Sequence, residues 1–237
     1  LVNTSVVYDA NASDVDAGDV LTFSISGTDA SLFNLDTDDG EVRLKTSADY
    51  ENKNTYRFNI TVTDNGVGNL SATKGITLNI NDLNDLPVIS SGSTGSVAEN
   101  AAISSVAYDA AASDPDAGDT LSFSLVGTDA SVFKIDADDG EIRLKSSANF
   151  EAKNSYSVTI VATDSGSPSA SISKAVTINV TDQNDSPVSS GDSAITTLNT
   201  AKNNILVLNN DTDEDGDSLT ILSIAYSGAG TVSHNGT

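Results

Sequence analysis

The 237-residue chain contains no cysteine, methionine or tryptophan and a single histidine, His234. Without cysteine no disulfide can brace the fold, and thiolate chemistry and zinc-finger sites are excluded. With one histidine and no nucleophile motif beside it, triads and metal-hydrolase centres have no support, so the chain reads as no enzyme. Two carboxylates could in principle serve a glycosidase, but the acidic residues here recur in duplicate sets that a single active site would not require. Basic residues are scarce as well, 11 Lys and Arg against 34 Asp and Glu, for a formal charge of −23. Such a balance disfavours phosphate backbones and anionic lipid, so nucleic acid is not an expected partner. No apolar run is long enough to span a bilayer, and direct membrane insertion is not expected. The chain begins with neither methionine nor a signal peptide, and it reads as a segment of a longer protein.

What is present is repetition. Asp82-Leu83-Asn84-Asp85-Leu86-Pro87 returns one hundred residues later as Asp182-Gln183-Asn184-Asp185-Ser186-Pro187. The same offset relates Tyr8-Asp9-Ala10 to Tyr108-Asp109-Ala110 and Asp14-Val15-Asp16 to Asp114-Pro115-Asp116. Between Gly27–Asp64 and Gly127–Asp164, 23 of 38 positions are identical. Units of this length can bury their own cores. The expected domains are 1–87, 88–187 and a third, different unit over 188–237.

Each repeat has the period of strands. Tyr56, Phe58, Ile60 and Val62 alternate with Arg57, Asn59, Thr61 and Thr63, and Ile76, Leu78 and Ile80 with Thr77 and Asn79. The second repeat repeats the pattern at Leu121, Phe123 and Leu125, at Tyr156, Val158 and Ile160, and at Val176, Ile178 and Val180. Turn chemistry at Asp38-Asp39-Gly40, Asn65-Gly66, Asp138-Asp139-Gly140 and Ser165-Gly166-Ser167-Pro168 separates the runs. No window carries a sustained helical stripe. The expected fold class is all-β, a tandem linear array of Ig-like Greek-key β-sandwiches.

The carboxylates are placed in register. Asp and Asn at strand ends are ordinary turn residues, and Asp36, Asp38 and Asp39 fit that description. The ordered set in both repeats is harder to explain so. It comprises Ala98-Glu99-Asn100, the two Asp-x-Asp pairs, Asp49-Tyr50-Glu51 and Asn149-Phe150-Glu151, Thr63-Asp64 and Thr163-Asp164, and the two Asp-rich seams. Over residues 1–187 this set resembles the calcium-binding motifs of cadherin repeats. The resemblance implies three Ca2+ ions between successive repeats. At the first junction the implied ligands are Asp49, Glu51, Asp82, Asn84 and Asp85 with Asp114, Asp116 and Asp164. These carry seven carboxylates, nearly balanced by three divalent ions, whereas two like charges about 4 Å apart repel by roughly 1 to 4 kcal/mol without them. Oxygen donors of this kind suit calcium. The first repeat lacks a counterpart of Glu99, and Asn149 stands where the family pattern prefers Asp. Asp14, Asp16 and Asp64 form half of a further site.

Residues 188–237 resemble the start of the Ig-like repeats of large bacterial surface and RTX-type adhesins. Asp213 and Asp215 follow Pro187 at nearly the distance at which Asp114 and Asp116 follow Pro87. With Glu99, Glu151, Asp182, Asn184 and Asp185 they would form a second junction. Asp211 to Asp217 also matches the opening of an EF-hand loop, but Leu222 stands where the closing Glu belongs, and the alternation of Leu219 and Ile221 predicts a strand. Asn59-Ile60-Thr61 and Asn184-Asp185-Ser186 fit the glycosylation sequon. The implied function is a calcium-rigidified stalk or adhesion segment of a bacterial surface or secreted adhesin, extracellular, with neighbouring repeats as partners. Glycan binding, for which Tyr8 and Tyr108 would be the first aromatic candidates, and homophilic adhesion to identical modules are the alternatives.

Overall fold

The computed structural model describes residues 5–197, 199–227, 231–234 and 236. The chain divides into two compact units. The first is Leu1–Pro87 with Asp114–Thr120 and Asp164–Ala170; the second is Val88–Ser113, Leu121–Thr163 and Ser171–Thr237. The two loops from the second repeat that segregate with the first unit carry its Asp-x-Asp pair and the end of its long strand.

The first repeat contains β1 (Tyr8–Asp9), β2 (Thr22–Ser26), β3 (Phe33–Leu35), β4 (Glu41–Leu44), β5 (Thr55–Thr63) and β6 (Ser71–Asn79). They form two antiparallel sheets, ordered β1-β4-β3 and β2-β5-β6. The alternation along β5 places Tyr56, Phe58 and Ile60 in the core with Phe23, Phe33, Val42 and Leu44 while Arg57 stays exposed. Aromatic edges meet there, with Phe33 and Tyr56 centroids 5.8 Å apart at 77°, a favoured arrangement of the ring quadrupoles. Tyr8 packs edge-on to Phe58 at 6.2 Å.

The second repeat contains β7 (Val88–Ile89), β8 (Thr94–Ala98), β9 (Tyr108–Asp109), β10 (Ala112–Ser113), β11 (Leu121–Val126), β12 (Phe133–Ile135), β13 (Glu141–Leu144), β14 (Ser155–Asp164) and β15 (Ser171–Thr181). Its sheets are ordered β11-β14-β15-β8 and β12-β13-β9, with β7 paired to β10. β8 runs parallel to β15, from Thr177 opposite Thr94 to Thr181 opposite Ala98. The core joins Val97, Tyr108, Phe123, Phe133, Ile142 and Ile178. Tyr108, a candidate sugar platform from sequence, is instead 6% exposed and donates its hydroxyl to Ser91 Oγ at 2.8 Å.

The only helical pieces among the described residues are 3-10 turns at Ala30–Leu32 and Ala130–Val132. Each is pinned by the Asp before it. Asp29 accepts Lys53 Nζ and the Arg57 N–H, both at 2.7 Å. Asp129 accepts Lys153 Nζ at 2.6 Å and the Ser157 N–H at 2.7 Å. Asp36 and Asp136 each accept the N–H groups of the two Asp that follow in the turn, at 3.0 and 3.3 Å. Gly40 and Gly140 close these turns at φ +81° and +78°, a conformation that disfavours a Cβ. The Asp-Asp-Gly residues are thus turn residues, as their sequence suggested.

Residues beyond Thr181 depart from expectation. The described part of 188–237 has one isolated bridge, Val188 with Thr212, and no strand over Leu219–Ile221. An alternating segment is stable as a strand only when a neighbour takes its N–H and C=O groups and a face covers its apolar side chains. Among the described residues no strand pairs with this segment, and Leu219 and Ile221 are only half-buried.

Candidate metal centres

In the first unit the seam after β6 and the Asp-x-Asp loop after β10 bring their carboxylates together. Oxygens of Glu51, Asp85 and Asp116 lie within 4.8 Å of one another, and so do oxygens of Asp114, Asp116 and Asp119. Asp116 therefore belongs to two adjoining triplets. Backbone hydrogen bonds set its geometry: Asp116 N–H donates to Asp114 Oδ1 at 2.9 Å, and Asp85 N–H donates to Asp116 Oδ2 at 2.7 Å. Asn84 Nδ2 donates to Asp164 Oδ2 at 3.1 Å. Asp164 also accepts the N–H groups of Gly166 and Ala170. Burial pushes its carboxyl up, but the bonds from Ala170, Asn84 and Gly166 outweigh this and hold it below the ordinary range.

Two oxygens here, Asp114 Oδ2 and Asp116 Oδ1, are buried with no hydrogen-bond partner. A carboxylate oxygen cut off from water and from donors is costly. A cation would supply the partner these oxygens lack, and an all-oxygen set is of the kind that suits calcium. Glu51 reflects the same crowding. A bond from its own backbone N–H lowers its carboxyl, but burial and the charges of Asp82, Asp85 and Asp116 together raise it. Asp49 is used differently: it caps the following turn, accepting the Asn52 N–H at 2.9 Å, and stands outside both triplets.

The second unit holds a four-carboxylate group, Glu99, Glu151, Asp182 and Asp215, with oxygens within 4.8 Å. Glu99 is 1% exposed. Its two oxygens accept the N–H groups of Phe150 and Gln183, each at 2.7 Å, so each oxygen of this buried carboxyl has a backbone donor. Asp185 N–H donates to Asp215 Oδ2 at 2.5 Å, and Asp185 Oδ1 accepts Asn100 Nδ2 at 2.8 Å. Asp213 Oδ1 accepts the Asp215 and Asp217 N–H groups. Asn184 donates to the carbonyl of Asp185. Asn149 caps its turn through the Ala152 N–H and reaches Glu214 Oε1 at 2.5 Å. Burial and then the charges of Asp215 and Glu99 raise Asp182, and burial with the charges of Glu99, Asp215 and Glu214 raises Asp185.

A third triplet in the first unit joins Asp14, Asp16 and Asp19. Asp64 accepts the N–H groups of Gly66 and Leu70 in the position Asp164 occupies one repeat later. Burial first, then Asp14, Asp64 and Asp16, raises the Asp19 carboxyl.

Sequence reading missed Asp19, Asp119, Glu214 and Gly166. The first two were visible as the third acidic member of Asp14-Val-Asp-Ala-Gly-Asp19 and Asp114-Pro-Asp-Ala-Gly-Asp119. Gly166 was not, because its role is space: a Cβ there would stand 1.4 Å from Asn84 Oδ1 and 2.8 Å from Asp119 Oδ2.

Comparison with known proteins identifies the repeats. The cadherin domain model matches residues 2–81 and 93–181, and a bacterial Ig domain model matches 184–237. Human protocadherin Fat 1 is 32% identical over 192 residues, covering 78% of this chain and 4% of its own length. Human protocadherin Fat 4 is 34% identical over 195 residues, covering 79% and 4%. Drosophila melanogaster dachsous is 30% identical over 199 residues, covering 76% and 6%. The chain thus spans a small fraction of these relatives. Among solved structures, mouse cadherin-23 EC22-24 superposes with a TM-score of 0.60 at 29% identity, over 80% of this chain and 63% of that one. Human protocadherin-24 EC1-2 gives 0.58 at 25%, over 76% and 90%. The chain belongs to the cadherin family, as two cadherin domains in tandem followed by a bacterial Ig domain.

Proposed function

We propose that this chain is a calcium-stiffened segment of an extracellular adhesion protein, a stalk of a bacterial surface or secreted adhesin. The observation that carries the reading is Asp116, shared by two carboxylate triplets beside two buried oxygens without donors. Calcium held by Glu51, Asp85, Asp114, Asp116 and Asp119, with Asp82, Asn84 and Asp164 around them, supplies positive charge at that point. It would tie the Asp-rich seam of one repeat to the Asp-x-Asp loop of the next. Glu99, Glu151, Asp182 and Asp215, with Asp185, Asn184 and Asp213 nearby, would do the same in the second unit. Asp49 and Asn149 would position these loops through their turns. Calcium binding is characteristic of cadherin repeats, and the neighbouring bacterial Ig domain supports the adhesin setting.

Affinities of extracellular calcium modules run in the range of ~0.1 to 1 mM, so the segment would be stiff outside a cell and soft at cytosolic calcium. Small-angle X-ray scattering with calcium and with chelator tests this. Wild type is expected to lengthen and stiffen with calcium, while the Asp85→Ala, Asp116→Ala double variant stays flexible. A profile indifferent to calcium rejects the reading. Homophilic adhesion is the second reading, favoured by the protocadherin relatives; calcium-dependent dimers in sedimentation would promote it. Glycan binding has no aromatic platform at Tyr8 or Tyr108, since both pack inward.

A further inference from the structure

The loop between β5 and β6 holds one chemically perishable side chain. Asn65 precedes Gly66, and a glycine leaves its own backbone nitrogen without the screening of a Cβ. The other Asn followed by glycine, Asn235, lies outside the described residues. Asn65 is exposed, and its Oδ1 accepts the Val20 N–H at 2.8 Å. Its Nδ2 makes no hydrogen bond among the described residues. The Gly66 N–H donates to Asp64 Oδ1 at 2.9 Å, so a carboxylate already draws on the proton of that nitrogen. The bond from Val20 ties this loop to the one that carries Asp14, Asp16 and Asp19. In the second repeat Ser165 fills the same place, its Oγ accepting the Thr120 N–H at 3.0 Å and donating to Asp119 Oδ1 at 3.0 Å. The clamp between the two loops is thus present in both repeats, with an amide in one and a hydroxyl in the other. Nothing covers the rest of the first loop, where Val67 and Leu70 are exposed.

We infer that Asn65 is a self-modification site, where the Gly66 nitrogen displaces the side-chain amide, the Val20 N–H supports the reacting oxygen, and water completes the conversion to a carboxylate. The nitrogen gives up its proton to solvent base and bonds to Asn65 Cγ. Negative charge then gathers on Oδ1, where the Val20 N–H already donates, as a fixed dipole does for a tetrahedral intermediate. The Cγ–Nδ2 bond breaks, and Nδ2, free of partners, takes a proton from water and leaves as ammonia. What remains is a cyclic imide. Water opens it at Cγ to give aspartate, or at the backbone carbonyl to give isoaspartate. The balance is a water consumed for each ammonia released, with no change of oxidation state. Ser165 offers Gly166 no side-chain carbonyl to attack, so the clamp of the second repeat is permanent. The consequence is electrostatic. Conversion puts a new negative charge next to Asp64 and against the backbone of Asp19 and Val20, beside the Asp14, Asp16 and Asp19 triplet, a charge-changing modification that acts by like-charge repulsion. The first repeat therefore gains charge with time at a place where the second does not.

The test is a time course of the folded full chain at neutral pH and physiological temperature, read by peptide mapping in a mass spectrometer. The peptide that carries Asn65 is expected to gain about 1 Da, as NH is exchanged for O, and to draw that oxygen from isotopically labelled water. Asn69, exposed in the same loop but followed by Leu70, should stay intact over the same period. Asn65→Ser, which copies the clamp of the second repeat, should abolish the change and keep the circular dichroism of the wild type. Val20→Pro removes the donor to Oδ1 and should slow the conversion about tenfold in the folded chain, with no effect in urea, where that donor is absent from both chains. If Val20→Pro does not fold, the wild-type rates at Asn65 and Asn69 still decide the site. Asn65→Asp, which mimics one product, should lower the melting temperature in chelator relative to Asn65→Ser. A folded chain in which Asn65 lasts as long as Asn69 would overturn the site, and a folded Val20→Pro chain that converts at the wild-type rate would overturn the donor's part. Equal melting temperatures for Asn65→Asp and Asn65→Ser would overturn the consequence for charge.

Discussion

Gly166 shows how much a single hydrogen can carry. The Asn84 side chain occupies the space a Cβ at 166 would need, 1.4 Å from its Oδ1, and there the amide reaches Asp164. At Gly66, one repeat earlier, the added atom would meet Asp19 Oδ2 at 2.6 Å, the end of a half-buried side chain in the Asp14, Asp16 and Asp19 triplet and remote from Asn84. Gly166→Ala is therefore expected to weaken calcium binding at the Glu51, Asp85 and Asp116 group by about tenfold, or ~1.4 kcal/mol, and Gly66→Ala to leave that group's binding nearly unchanged. Isothermal titration of the two variants checks the difference. Asp129 carries a second residue-scale prediction. Hydrogen bonds from Lys153 and then from the Ser157 N–H hold its carboxyl below the ordinary range. A carboxyl lowered on folding adds stability above its unfolded pKa and loses it as pH falls through the folded one. Asp129→Ala should thus be destabilised at neutral pH, with the gap to wild type closing in acid below the ordinary carboxylate range. Urea denaturation at stepped pH would show it, and a gap constant with pH would assign the loss to packing alone.

The strands were legible because alternation and turn residues agree along β5, β6, β11, β14 and β15. The sites were legible as motifs, since Asp and Glu recur at the same offset in both repeats. What sequence could not show is which strands find partners. Leu219 and Ile221 alternate as well as Leu121 and Phe123 do, yet only the latter pair lies in a strand, because strand formation is decided by a neighbour far along the chain. The same physics separates β6 from β15. Ile178 on β15, beside β8, is fully buried, whereas Leu78 on β6 is half-buried. Ile178→Ala is expected to cost about 3 kcal/mol and Leu78→Ala about 1, the difference being apolar area already left to water. Guanidinium denaturation of both variants measures it. Equal costs would mean that Leu78 is as well covered in solution as Ile178.

At the scale of the molecule, a net charge of −23, with carboxylates gathered into close groups, makes stability depend on what neutralises it. On the proposed reading, protons and calcium compete for the same oxygens. Without metal, the raised carboxyls of Asp19, Glu51, Glu151, Asp182 and Asp185 bind protons more tightly in the native chain than unfolded, so metal-free stability rises as pH falls from neutral through their raised values. It falls again further into acid, once the lowered carboxyls of Asp29, Asp36, Asp129, Asp136 and Asp164 take up protons and release their hydrogen bonds. The metal-free melting temperature should therefore peak on the acid side of neutrality. With calcium at a hundredfold its dissociation constant, linkage adds about 2.7 kcal/mol at neutral pH for each site, and the increment shrinks toward that acid peak because a protonated carboxyl cannot ligate. Calorimetric melts at stepped pH, with calcium and with chelator at matched ionic strength, would show two curves converging in acid. Curves separated by the same interval at every pH would mean that calcium binds away from the carboxylates whose protons it should displace.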